Sequence, residues 1–407
     1  MKYSIVTFGC RVNQADSLRI EEDLRAAGGI DAPSSEADVV VVNTCSVTAT
    51  ADQGARQTIR RIARENPSAK IVATGCYATR CGDEVGALPG VVRVVRNDEK
   101  LEMFRAGDGP CGAPIEPGVA GRTAFTIRAQ TGCQERCSYC IIPSTRGASR
   151  SLPVADLVHE VTRAADAGFK EVAVAGVHLG SYGRDLRPRV SLLDLLTALD
   201  AIDRDVVYRI SSLEPMDCTP DIVDFIARSG RFMPHFHLPL QHASDRMLAA
   251  MRRPYTLEHY RRLVDGIHAR LPRASIGSDM IVGFPGETDD DFAANLDYLP
   301  SSPVTHLHVF PYSDRPGTEA SAMAGKVHGA VIRERGIQLR DLGAGLSRRF
   351  RESQIGSVRP GLTLDDGTLV VTDNYLKVRI PPGRRRNVAV RVRLVSNGSE
   401  IRGEVVV

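Results

Sequence analysis

No stretch of the 407-residue chain approaches the roughly 18 uninterrupted apolar residues that a membrane span needs. The N-terminus, MKYSIVTFGC, lacks the charged start and long apolar run of a secretion signal. The expectation is a cytoplasmic protein with no membrane partner, whose nine cysteines stay reduced and favour metal or redox roles over disulfides. A strong net charge is also missing, and +3 decides nothing by itself. Its placement is more informative. From Ser357 onward nine Lys and Arg face five Asp and Glu, which leaves the rest of the chain near −1. The excess points to a polyanionic partner at the C-terminal end. Hydrophobic residues at 43% supply ample core material for several domains.

A fourth cysteine is absent where a ferredoxin-type run would place one. Cys133, Cys137 and Cys140 stand in TGCQERCSYCIIPSTRG with the spacing C-x3-C-x2-C. Three thiolates this close suit an iron–sulfur cluster with one iron left open for another ligand. A zinc knuckle or apolar packing are the alternatives, although zinc sites more often pair C-x2-C with a second such pair.

Residues 1–105 alternate strand and helix signals, with strands at 3–8, 38–44, 70–75 and 91–95 and helices over 16–27 and 49–65. The run DVVVVNT reads as a parallel strand buried on both faces, and the pattern predicts a doubly wound α/β domain. Cys10, Cys45 and Cys76 each follow one of these strands. Carboxyl ends of parallel strands line a ligand crevice, so the three should converge as a second metal centre. Asn13 and Asn43 beside them read as helix caps or partners of loop amides. Residues 106–122, rich in Gly and Pro and containing Cys111, read as a linker.

From 123 to 345, six strand candidates (123–129, 171–176, 206–211, 235–240, 275–283 and 306–312) alternate with amphipathic helices. This predicts a partial (βα)6 barrel with a wide lateral mouth, its chemistry on the loops after the strands. His235 and His237 should face one side, the barrel interior. Residues 346–407 begin with the end of a helix reaching about Gln354. They then alternate with period two and predict a small β-barrel. Lys377, Arg379, Arg384, Arg385, Arg386, Arg391 and Arg393 could track an RNA backbone there, with Tyr375 as a stacking platform. Cys81 and Cys218 have no ligand-like context.

C-x3-C with Tyr139 before the third cysteine resembles the signature of radical S-adenosylmethionine enzymes. GCRVNQADS, NTCSVT, TGCYA, GVHLGSYG, DMIVGFPGET and HVFPYSDRPGT extend the resemblance to their methylthiotransferase branch, and GC-x-VNQ with HFHLPLQHASDRML and RRPYT to its MtaB-type members. The tail resembles a TRAM domain. Two departures are Ser144, where tyrosine is expected, and His242-Ala243, where Ser-Gly is usual.

The resemblance implies two [4Fe–4S] clusters, on Cys133/Cys137/Cys140 and on Cys10/Cys45/Cys76, with all six cysteines catalytic. It implies S-adenosylmethionine as radical source and methyl donor, and tRNA, at the anticodon stem-loop, as substrate. The product would carry a methylthio group at C2 of N6-threonylcarbamoyladenosine. It also implies an electron donor such as flavodoxin or ferredoxin, and a sulfur donor. Tyr139 would lie by the cofactor adenine, the Gly176 loop by its methionine amino group and Ser212 and Glu214 by its polar groups. Gly283 and Gly286 would admit close backbone approach to the adenine. The neighbouring readings are MiaB-type action on isopentenyladenosine, RimO-type action on a ribosomal-protein aspartate, and a non-catalytic zinc- or RNA-binding module.

Overall fold

The structure, a computed structural model, describes residues 1–104, 115–119, 122–398 and 400–406. Most of the expected linker, with Cys111, lies outside them. No helix among the described residues is long and apolar enough to cross a membrane.

The N-terminal domain runs β1 (Lys2–Thr7), α1 (Arg11–Ala26), β2 (Ile30–Asp31), β3 (Val39–Thr44), α2 (Ala49–Glu65), β4 (Lys70–Thr74), α3 (Gly75–Arg80), α4 (Gly82–Gly86) and β5 (Val91–Val94). The sheet is parallel in the order β2-β1-β3-β4-β5. Along β3, Val41 packs with Ile20 and Leu24 of α1, whereas Val40 and Val42 pack with Ala55, Ile59 and Ile62 of α2. Helices thus cover both faces, which is why the run VVVV is apolar throughout. The strand order reverses between β1 and β3, the switch point where such sheets bind ligands. Two details differ from expectation. The two-residue edge strand β2 is new, and α1 starts at Arg11 rather than Asp16. Cys10 caps α1 without a side-chain bond, so the helix carries no sequence mark of its start.

The six expected barrel strands are all present. They are β6 (Phe125–Thr131), β8 (Glu171–Gly176), β9 (Val207–Ile210), β10 (His235–His237), β11 (Ser275–Val282) and β12 (His306–Pro311), with a short antiparallel β7 (Arg150–Ser151) on β6. Helices α5 (Ile142–Arg146), α6 (Val154–Asp166), α7 (Leu192–Asp200), α8 (Pro220–Arg228), α9 (Asp245–Ala250), α10 (Leu257–Arg270), α11 (Asp289–Tyr298) and α12 (Glu319–Ala322) link them, and α13 (Gly329–Ser353) follows. Threonines cap α8 and α11, the latter through a full capping box with Asp291. The strands fall into two sheets, β7-β6-β8-β9 and β10-β11-β12. Among the described residues their backbones are joined by the isolated bridges Tyr208–Phe232 and Ser212–His237 rather than by a continuous ladder. Pro234 and Pro239 bracket β10 and shorten it.

The lateral mouth expected between β6 and β12 is closed by the N-terminal domain. On one side Arg128 of β6 bonds Asp16 at 2.6 Å and Arg163 bonds Glu22 at 3.1 Å. On the other, Ser313 accepts from the Ala49 amide, and Arg315 donates to Ser46 and Asp52 at 2.9 and 2.5 Å.

Helix α13 runs through residue 345 unbroken. A closed five-stranded barrel then forms from β13 (Val358–Leu364), β14 (Leu369–Thr372), β15 (Lys377–Arg379), β16 (Ala389–Asn397) and β17 (Glu400–Val406). It docks where the large barrel's strands begin. Asn374 donates to the Arg273 carbonyl, Asn387 to Gly168 and Arg386 to Gly118. The tail is therefore not held over the loop end of the barrel.

Candidate active site

The loop after β6 is shaped by Gly132, whose positive φ of 75° and position 1.9 Å from the Ala148 carbonyl (measured from an added Cβ) exclude any side chain. The Gln130 amide donates to the Thr131 and Gly132 carbonyls, and its oxygen accepts from His178 N–H. Ser138 anchors the middle, bonding the Ala250 and Met251 carbonyls. Cys133, Cys137 and Cys140 are free thiols in electrostatic contact. Burial pushes Cys140 up to about 12 and also raises Cys137. Cys137 accepts a 3.1 Å bond from Arg253, which also pairs with Glu214. Cys133 accepts from the Glu135 amide and lies 3.9 Å from His178, whose other nitrogen meets Asp217 at 2.7 Å.

Cys10, Cys45 and Cys76 converge at the sheet's switch point. An added Cβ on Gly9 would meet the Cys45 sulfur at 2.6 Å. Burial pushes Cys45 up to about 11, with the Cys10 and Cys76 thiols adding to the rise. Asn97 donates to Cys76 at 3.6 Å and to the Thr145 carbonyl at 2.9 Å. Asn13 and Asn43 do not cap helices. Asn13 donates to the Phe8 and Thr44 carbonyls and Asn43 to the Asn13 carbonyl and Ser17, which knits the cysteine loops together.

The two triads share a boundary. Arg146, at the end of α5 in the loop that carries Cys140, is buried against Asn13, Asp16 at 3.4 Å and Thr131 at 3.1 Å, where it faces Cys76 and Cys10. Asp16 is buried too. Burial would raise its carboxyl, but Lys100, Arg128 and Arg146 outweigh that and hold it well below the ordinary range.

In neither triad do all three sulfurs lie within 4.8 Å of one another. A tetrahedral zinc thiolate, with bonds near 2.3 Å, needs sulfurs about 3.8 Å apart. The wide spacing of free thiols fits a multi-iron cluster instead.

Glu214 joins the first triad through Arg253. Tyr139 is partly buried beside Phe284, Met247, Met251 and Ala320. Ser212 turns into the barrel and bonds His237. Gly176 has Leu179 3.0 Å from an added Cβ, and Gly283 has Ile332 at 2.3 Å, so both sites have packing reasons to be glycine, whereas Gly286 faces open space. His242 is buried and accepts from the Ser244 amide; burial lowers it to about 4. Both His235 and His237 face the lumen, as expected. Tyr375 stacks at 4.3 Å on His235, lies under Arg209 and accepts from Arg11, so it reaches from the small barrel to the lumen floor while staying about a third exposed. Lys377, Arg379, Arg385, Arg391 and Arg393 are exposed, and Arg384 partly so. Arg253, Arg146, Asn97 and His178, which meet the cysteines only through the fold, and Arg315, which holds Ser46 and Asp52 beside them, escaped the sequence reading; no periodicity marks them.

The Radical SAM superfamily model matches residues 127–299, and that of the uncharacterized protein family UPF0004 matches residues 2–96. The fold agrees with solved structures of that superfamily. The radical S-adenosylmethionine methyltransferase TsrM from Kitasatospora setae, 15% identical, aligns with a TM-score of 0.56 over 79% of this chain and 76% of its own. Partial barrel, three-cysteine loop and N-terminal domain together define a radical S-adenosylmethionine enzyme, and that class carries S-adenosylmethionine and a [4Fe–4S] cluster. Threonylcarbamoyladenosine tRNA methylthiotransferase MtaB of Aquifex aeolicus is 35% identical over 399 residues, covering 93% of this chain and 96% of that protein. MtaB of Bacillus subtilis is 34% identical, covering 91% and 88%. The tRNA-2-methylthio-N(6)-dimethylallyladenosine synthase of Carboxydothermus hydrogenoformans is 33% identical, covering 88% and 86%. The chain belongs to the tRNA methylthiotransferase family of radical S-adenosylmethionine enzymes.

Proposed function

We propose that the protein installs a methylthio group at C2 of N6-threonylcarbamoyladenosine, 3′ to the anticodon of tRNA, in the cytoplasm. The observation that carries this reading is the juxtaposition of two three-cysteine sets, with Arg146 from the loop of one buried against the other. Cys133, Cys137 and Cys140 would hold the cluster that binds S-adenosylmethionine, and Cys10, Cys45 and Cys76 a second [4Fe–4S] cluster. Together these cofactors supply the one-electron chemistry needed to replace hydrogen on an unactivated aromatic carbon, which has no acidity for base catalysis to use.

The chain's own residues position and shield. Arg253 fixes Glu214 and supplies positive charge to the Cys137 sulfur. Arg146 does the same for Cys76. The N-terminal domain closes the barrel's side, and holding the reactants in one orientation supplies much of the rate. Tyr139, Gly176, Ser212, Gly283 and Gly286 would line the cofactor. Lys377, Arg379, Arg384 and Arg385 would guide the RNA backbone. Arg386 is committed to Gly118 and Asp365. An external electron donor, for which flavodoxin or ferredoxin fits, and a sulfur donor complete the reaction.

The polar lumen favours the threonylcarbamoyl group over an isopentenyl one. His237, Asp279, His306 and His308 line it, and the open faces of Asp279 and His308 offer hydrogen-bond partners that a polar substituent can use and an apolar one cannot. Mass spectrometry of tRNA nucleosides from a deletion strain tests the substrate. Loss of the methylthio-threonylcarbamoyl nucleoside with the isopentenyl form intact is expected; the reverse pattern refutes the choice.

A further inference from the structure

We infer that the barrel lumen contains a binding site for a divalent transition metal, formed by His237, Asp279 and His308 and separate from both cysteine sets. The three side chains come from the neighbouring strands β10, β11 and β12. Period-two alternation turns all three inward, because Phe236 and Met280 between and beside them pack outward into the helix-side core. One ligand atom of each lies within 4.8 Å of the other two. Asp279 Oδ1 is 2.9 Å from His237 Nε2 and 3.1 Å from His308 Nδ1.

Those separations are what a metal shell requires. Adjacent ligands at right angles, with bonds of about 2.1 Å, stand about 3.0 Å apart. Two imidazoles and one carboxylate on one side of an ion form the three-ligand set that leaves the opposite positions open, and N/O donors without thiolate select iron(II), manganese, cobalt or zinc. The partial exposure of Asp279 and His308 leaves the open side facing the lumen, where a carboxylate or hydroxyl can bind.

A second layer of contacts orients the set. Ser212 Oγ bonds His237 Nδ1, which leaves Nε2 as the ligating nitrogen, an arrangement typical of metal-bound histidine. One layer below, an added Cβ on Gly277 would lie 2.2 Å from the His306 ring, so that ring occupies the space a side chain would need. Through Ser212 the site stands two residues from Glu214, and thereby from Arg253 and Cys137.

The test uses the anaerobically reconstituted protein with its iron–sulfur clusters loaded, so that the cysteines are already occupied. Manganese(II) binding is followed by loss of the free-ion electron paramagnetic resonance signal, and zinc(II) by equilibrium dialysis. One saturable equivalent per chain of at least one of these ions is expected. Asp279→Asn and His308→Ala should each weaken it about tenfold or more, with cluster absorbance and circular dichroism unchanged as evidence of folding. If the wild-type protein binds neither ion above the non-specific level, or if both variants bind as the wild type does, the three residues are a hydrogen-bonded network and the inference fails. The wild-type measurement decides the matter even where a variant misfolds.

Discussion

Replacing Asp16 by asparagine keeps the side chain's size and removes its charge, which leaves buried cations without their counter-ion. Removing one partner of a buried pair costs about 3–5 kcal/mol. Three cations face Asp16, and their exposure decides where in that range the cost falls. Arg128 is 16% exposed and can turn to water, while Lys100 and Arg146, at 0% and 2%, cannot. Lys100 has an escape: burial already lowers it to about 8, so in the variant it sheds its proton near neutral pH. Arg146 has none. We therefore expect about 3 kcal/mol, the lower end of the range, read from urea unfolding by circular dichroism in reconstituted protein. The double variant Asp16→Asn/Lys100→Met should recover about 1–2 kcal/mol of it, since coupled neighbours are non-additive. The pH dependence follows in sign. A carboxyl held below its unfolded value contributes stability that is present above about pH 4 and fades as pH falls, so the gap between wild type and Asp16→Asn should narrow towards pH 3. A loss below about 1 kcal/mol at pH 7, or a double variant worse than the sum of the singles, would refute the reasoning.

Gly132→Ala should prevent stable cluster loading on Cys133, Cys137 and Cys140, seen as reduced iron content, because a Cβ cannot coexist with the Ala148 carbonyl and the positive φ. His242 is held near 4 against an ordinary 6.5, so the unfolded chain takes up its proton first and stability should fall by up to about 3 kcal/mol as pH drops from 6.5 to 4. A His242→Asn variant should show a flatter profile. Substituting Lys377, Arg379, Arg384 and Arg385 together by alanine should weaken tRNA binding and make its logarithmic salt slope shallower by about 0.7–0.9 for each phosphate no longer neutralised. Arg386→Ala should instead loosen the docking of the small barrel, seen as faster proteolysis between the domains.

Strand positions, both cysteine sets and the tail's barrel were legible because each rests on local periodicity or spacing. DVVVVNT is apolar at every position because α1 and α2 cover opposite faces of β3. The closure of the barrel's side was not legible, since it depends on Asp16, Arg128, Arg146 and Arg315, charged residues far apart in sequence that look like solvated surface until the domains are placed together. The packing of Tyr375 was hidden for a similar reason. An aromatic residue in a basic β-barrel reads as an RNA platform, yet its contacts are His235, Arg209 and Arg11 from two other domains. Arg253 lay inside a segment that marks the family, but nothing in RRPYT reveals that its guanidinium reaches back to Cys137.

The weak join between β9 and β10 gives the molecule a mechanical polarity. The large barrel is a ring of three pieces, namely a four-stranded sheet with β7 antiparallel at its edge, a three-stranded parallel sheet and the N-terminal domain. Two of its joints are held by ion pairs to the N-terminal domain, and the third, which among the described residues has no continuous strand pairing, by two isolated bridges, the Ser212–His237 bond and the Arg253–Glu214 pair. A load that widens the ring will part it at that third joint, in the manner of a book whose spine is the N-terminal domain. Cys10, Cys45 and Cys76 sit in the spine, whereas Ser138 and Cys137 reach across to Ala250, Met251 and Arg253 of the leaf that turns, so an opening that takes His237 away from Ser212 also pulls on the loop of the first cysteine set.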